Sequence, residues 1–219
     1  MKTKKPIEIN ARKLSLGEEI GNAVTHGLGA VFSIVALILL LNKANSRLGV
    51  FAALIYSISM FFLYLMSCLY HAFKYDTTRK RVFRRFDHIS IYLLIGGSYA
   101  PILLGLDLGN LGIILFIIQW IIITVGIVFK SIWPTRFKKI HIVIFLLIGW
   151  MALFFIKDLY LYSNTLFYLV LSGGIVYSLG IIFFGLKFKY SHFIWHFFVL
   201  GGTILHFIGF YNYIFGVLI

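Results

Sequence analysis

"NLGIILFIIQWIIITVGIVF", residues 110–129, runs for twenty residues without a charged side chain, and Gln119 stands as an isolated amide in its interior. As a helix rising about 1.5 Å per residue it is about 30 Å long, the thickness of a bilayer's hydrocarbon core. It shows no alternation of polar and apolar residues in ten-residue segments, so it reads as a spanning helix and not as a barrel strand. Six further stretches read the same way, giving approximate spans at 22–41, 49–71, 87–106, 110–129, 140–156, 165–186 and 192–218. Composition agrees: 61% of the 219 residues are hydrophobic and 12% are charged, against about 45–50% and about 25% in soluble domains. The sequence therefore predicts an all-α, multi-pass protein of the cell membrane, a seven-transmembrane helix bundle. Residues 1–219 form one domain, in which 1–21 are a basic N-terminal segment and the start of the first helix.

Charge sets the expected orientation. Lys2, Lys4, Lys5, Arg12 and Lys13 precede the first span, and Lys74, Arg79, Lys80, Arg81, Arg84 and Arg85 lie between the second and third. Lys130, Arg136, Lys138 and Lys139 follow the fourth span, and Lys187 and Lys189 follow the sixth. The other side holds only Lys43, Arg47 and Lys157. Cytoplasmic loops carry the excess of Lys and Arg, so the N-terminus is expected inside and the C-terminus outside. The net charge of +13 then needs no nucleic acid; anionic lipid headgroups at the basic loops are its expected partners. The first apolar run is too long for the core of a cleavable signal. Cys68, the single cysteine, excludes intramolecular disulfides and thiolate metal clusters.

Ionisable residues within spans are costly and mark function. Six of the seven acidic residues lie in the tail, in loops or at interfaces, while Asp87 sits in "RRFDHISIYLLIGG", where a basic loop becomes the third span. It is either a solvated partner of Arg84 and Arg85 or an inward-facing member of a site. The expected topology brings His71 at the end of the second span, Asp87 and His88 at the start of the third, and His192 and His196 at the start of the seventh to one leaflet. His192 and His196 are one helical turn apart and share a face, as do Ser67 and His71 in "SCLYH". Such a His pair is either a hydrogen-bonding polar element or two ligands of a metal. With a third imidazole from another helix it would leave one tetrahedral position open to water, as in catalytic zinc sites.

The set Ser67-x3-His71, Asp87 and His192-x3-His196, together with "EEIGNAVTHG" holding Glu19, Asn22 and His26, resembles the hemolysin III family and the wider progestin and adipoQ receptor group. The resemblance covers nearly the whole chain. It implies a seven-helix bundle with zinc near the cytoplasmic face, His71, His192 and His196 as its ligands, and Asp87 and Ser67 beside the water. Ser15 with Glu18 forms a capping box that predicts a helix start near Leu16. Glu19, Asn22 and His26 would then share one face at the cytoplasmic mouth of the bundle, which either hydrogen-bonds the site's surroundings or meets lipid headgroups. His141 is expected at the headgroup interface, His88 to point away from Asp87, and His206 to be a buried, hydrogen-bonded histidine too deep for the same metal.

Two functions fit these residues. One is zinc-dependent hydrolysis of an amide or ester bond in a membrane lipid, with Asp87 and Ser67 catalytic; membrane families with the same residue set include alkaline ceramidases. The other is non-enzymatic: membrane lysis or pore formation, or a receptor-like sensor with structural zinc. A pore needs a polar lining through the full bilayer, and the outer halves "VALILLL", "FAALIYSIS" and "IQWIIITV" supply little of one.

Overall fold

The structure is a computed structural model that describes residues 13–134, 136–217 and 219. Lys2, Lys4, Lys5, Glu8 and Arg12 lie outside the described residues. Helix α1 (Leu16–Lys43) opens on the expected capping box: Glu18 N–H donates to Ser15 Oγ at 3.4 Å, and Ser15 N–H donates to Glu18 Oε2 at 2.9 Å. Helices α2 (Arg47–Ala72), α3 (Thr78–Gly105) and α4 (Asn110–Ile132) follow. Next come α5 (Lys138–Gly149), a 3-10 turn (Met151–Phe155) and α6 (Ile156–Tyr162), then α7 (Asn164–Gly185) and α8 (Ser191–Tyr213). Among the described residues seven segments are long and apolar enough to cross a membrane, with Lys138–Tyr162 counting as one. Among the described residues there is no strand.

Two spans differ most from the sequence reading, while the seventh, read as 192–218, is helical over Ser191–Tyr213. The third helix starts at Thr78, not 87, because Thr77 accepts from Lys80 N–H at 3.2 Å and the basic run behind it is made of good helix formers. Asp87 is therefore inside a helix, not at its edge. The fifth span is broken after Gly149 and extends to Tyr162. Tyr99 of α3 reaches into the break, donating its hydroxyl to Gly149 C=O at 2.6 Å and accepting from Ala152 N–H at 3.0 Å. An inserted side chain that satisfies both freed backbone groups explains a break containing no proline.

Helix α8 packs against α1, α3 and α7. Its middle is fastened by Thr203, whose hydroxyl sits 2.7 Å from Tyr64 Oη and 2.8 Å from Tyr177 Oη. In lipid each of those hydroxyls needs a protein partner, so the cluster fixes α8 against α2 and α7. Gly29 lets α1 approach α2, since a Cβ there would lie 2.5 Å from the Tyr64 ring. The outward faces are apolar: Val31, Ile38, Ile117 and Ile121 are all more than half exposed, as expected of lipid-facing surface.

Candidate metal centre

The start of α8 is tied to the start of α1. Tyr190, in the left-handed region at φ 66°, donates its N–H to Glu18 Oε1 at 2.8 Å. This contact holds the first turn of α8 beside α1 and directs His192 and His196 towards the end of α2, where His71 lies. His196 and His71 are almost fully buried, and His192 is partly so.

The three rings meet through the same atom type. His192 Nε2 lies 3.3 Å from His71 Nε2 and 3.2 Å from His196 Nε2, and one ligand nitrogen from each ring falls within a 4.8 Å cluster. The other nitrogens of His71 and His196 are held by α1. His71 Nδ1 is 2.7 Å from Glu19 Oε2 and 3.4 Å from Asn22 Nδ2. His196 Nδ1 is 3.3 Å from Thr25 Oγ1, whose own proton goes to Gly21 C=O at 2.9 Å or Asn22 C=O at 3.1 Å. A carboxylate accepts only, and a hydroxyl already donating to a carbonyl also accepts. Both Nδ1 atoms therefore carry the ring proton, and the Nε2 atoms of His71 and His196 present lone pairs. His192 can donate to only one of them.

That convergence fits a cation. Zinc–nitrogen bonds of about 2.0–2.1 Å at tetrahedral angles place ligand nitrogens about 3.3 Å apart, the spacing seen on two edges of this cluster. The partners follow the same logic: Glu19 orients His71 as outer carboxylates orient metal-bound imidazoles. Lys80 Nζ, 2.6 Å from Glu19 Oε1, balances the carboxylate within the bundle. His26 stacks on His196 with centroids 3.5 Å apart and planes 9° apart, and neither of its nitrogens has a hydrogen-bond partner among the described residues.

Ser67 and Asp87 join the cluster. Ser67 is buried, with its hydroxyl beside the Asp87 carboxyl group. With Asp87, His192 and His196 it lines a small chamber of about 20 Å³. Asp87, His71 and His192 also form part of the wall of a much larger cavity, about 590 Å³, at the basic end of the bundle. Ile91, Ile142, Phe145 and Phe184 are shared with a third, apolar space of about 110 Å³ between α3, α5, α7 and α8.

Residues 14–207 match the sequence model of the family described as haemolysin-III related. The chain belongs to that family. It is 44% identical to Hemolysin-3 of Bacillus cereus over 197 residues, covering 87% of this chain and 89% of that protein. It is 41% identical to the Hemolysin-3 homolog of Bacillus subtilis (strain 168) over 194 residues, covering 86% and 91%. The human monocyte to macrophage differentiation factor is 26% identical over 205 residues, covering 90% and 85%. The seven-helix, multi-pass architecture read from the sequence is thus joined by the family it resembles.

Against this family background, two neighbours of the site escaped the sequence reading. Thr25 lies three residues after Asn22 on the polar face of α1 and was legible from that periodicity; Lys80, in a loop by sequence, was not. His141 is not at a headgroup interface: it is 4% exposed, with Nδ1 2.6 Å from Tyr92 Oη. Helix α5 turns it inward against α3, where the phenol engages Nδ1. His88 shares cavity walls with Asp87 instead of facing away from them. His206 is buried far along α8, with Nε2 3.1 Å from Val170 C=O.

Proposed function

We propose that the chain is a zinc-dependent hydrolase of amide or ester bonds in membrane lipids, its N-terminus cytoplasmic and His71, His192 and His196 its metal ligands. The observation that carries this reading is the meeting of three imidazole nitrogens, two of the rings lining a cavity that shares a wall with an apolar chamber. When bound, zinc supplies Lewis acidity to a carbonyl and makes water nucleophilic near neutral pH. The protein's residues divide the remaining work. Asp87 accepts a proton from the attacking water at a carboxylate oxygen and passes it to the leaving group. Ser67, beside Asp87, turns its hydroxyl to donate to the oxyanion developing on the substrate carbonyl. Glu19 and Thr25 hold the rings of His71 and His196, and the apolar chamber takes an acyl chain.

Metal analysis of the purified protein, followed by acyl release from N-acyl and O-acyl lipids with and without chelator, tests the reading. Chelator-sensitive acyl release is expected. A zinc-loaded protein that cleaves nothing in a broad panel refutes it. A second reading, membrane lysis, rests on the name Hemolysin-3 borne by the two Bacillus relatives. Lysis that persists in Asp87→Asn while no acyl group is released would favour it. The packing of Leu40, Tyr56, Met60 and Phe210 in the core speaks against an aqueous path through one copy.

A further inference from the structure

The large basic cavity has a second side that the proposed hydrolytic chemistry leaves unused. Two lysines are deeply buried in this region, and they differ sharply. Lys80, 4% exposed, is matched by Glu19. Lys130, near the end of α4 and 6% exposed, has neither a hydrogen bond nor an ion pair among the described residues, and it lines the cavity. The carboxyl end of α4 favours a cation there by only about 0.3–1 kcal/mol, whereas removing an unpaired ammonium from water costs several.

Two histidines beside it are also unsatisfied. His141 comes from α5 with Nδ1 engaged by Tyr92; with the phenol donating, the ring proton lies on Nε2, which has no partner. His88 comes from α3, and its buried Nδ1 has none either. All three side chains line the same cavity. Arg84, Lys138, Lys139 and Lys187 also contribute to its wall, and Asp87 is its only carboxylate among the described residues. The wall thus has a surplus of positive charge, and unmatched polar groups from three different helices.

We propose that this wall, centred on Lys130, His141 and His88, binds a phosphate group, so that the lipid acted on carries a phosphate headgroup. The substrate assignment rests on the hydrolase reading; the binding site itself does not. A planar carboxylate offers two oxygens in one plane, whereas a tetrahedral phosphate presents three acceptors in divergent directions. Donors arriving from α3, α4 and α5 call for the second arrangement. The apolar chamber on the other side of Ile91, Ile142, Phe145 and Phe184 makes a lipid the source of the phosphate: headgroup against Lys130, acyl chain between α3, α5 and α7, and the intervening linkage beside Asp87 and His192.

The test is binding, read apart from catalysis. Purified protein in a neutral detergent is titrated with short-chain phosphatidic acid, the matching diacylglycerol and inorganic phosphate, followed by native mass spectrometry, with zinc measured on every sample. Phosphatidic acid is expected to bind about tenfold or more tightly than diacylglycerol, the scale of a hydrogen bond to a charged group. Lys130→Gln and His141→Gln should each erase most of that preference, Lys130→Arg should restore it, and Lys157→Gln, exposed on α6, should leave it intact. Displacement of phosphatidic acid by equimolar inorganic phosphate upholds the phosphate site but gives it a soluble ligand. Equal binding of the two lipids, or a preference that survives both Lys130→Gln and His141→Gln, overturns the proposal. A phosphate preference in protein that holds no zinc sinks the hydrolase reading and leaves this one standing.

Discussion

Replacing Glu19 by Gln tests how the proposed metal centre is built, because the two carboxylate oxygens serve two different donors. Oε2 faces His71 Nδ1 at 2.7 Å and Oε1 faces Lys80 Nζ at 2.6 Å. An amide keeps one oxygen, and the buried ammonium of Lys80 claims it, since its other acceptor is only Phe73 C=O at 3.1 Å. The NH2 group then turns towards His71 Nδ1, which becomes an acceptor, and the ring proton moves to Nε2, the nitrogen needed for the metal. Loss of such an outer partner lowers metal affinity by about 10- to 100-fold, or about 1.4–2.7 kcal/mol.

Competition against a chelator of known affinity, on purified protein in detergent, measures that loss. The double variant Glu19→Gln with Lys80→Met sharpens the test. Without the ammonium, the amide oxygen is free to accept from His71 Nδ1–H, so zinc affinity should recover most of the deficit. Simple electrostatics predicts recovery in the double variant too, since the Glu19–Lys80 pair is neutral as a unit, but it also predicts that Lys80→Met alone tightens zinc; the tautomer account predicts little change there, because Glu19 still accepts from His71 Nδ1–H. Unchanged affinity in Glu19→Gln, or a double variant no better than the single, refutes the tautomer argument.

Three further outcomes follow from the same geometry. His196→Ala should lose stoichiometric zinc while His206→Ala keeps it, as read by metal analysis; the reverse would overturn the ligand assignment. Asp87→Asn should fold and retain zinc but lower acyl release by about 100- to 10,000-fold, the usual contribution of a positioned acid–base group; undiminished release would remove Asp87 from the chemistry. Reporter fusions should place Ile219 outside the cell, and a cytoplasmic signal there would contradict the orientation drawn from the basic residues.

The fold was legible because bilayer thickness imposes a length on each helix and the sequence marks its boundaries with charge. Ser15 and Glu18 announced the first turn of α1 because both partners of a capping box lie within four residues. The break in the fifth span was hidden for the opposite reason. Nothing between Gly149 and Phe155 demands it; the cause is a tyrosine some fifty positions earlier that supplies the missing hydrogen bonds. His141 was misplaced in the same way, since two flanking lysines describe its neighbours in sequence while Tyr92 decides which way it faces.

The site divides along this line too. The His192–His196 pair shares a face by helical periodicity alone, and topology brings His71 to the same end, so the sequence contained the ingredients of a three-imidazole cluster. What it lacked was the rotation of each helix about its axis. That rotation determines that all three rings meet through Nε2 while α1 holds the Nδ1 atoms of two of them. In lipid, where an unsatisfied polar group has no water to turn to, the rotation of α1 is itself fixed by this demand. Turning α1 by a quarter would leave Glu19 and Thr25 facing hydrocarbon and strip His71 and His196 of the acceptors that set their tautomers. The polar face of α1 and the ligand set of α2 and α8 therefore stabilise one arrangement together, and a metal able to accept the three converging nitrogens would lock the basic end of the bundle in it.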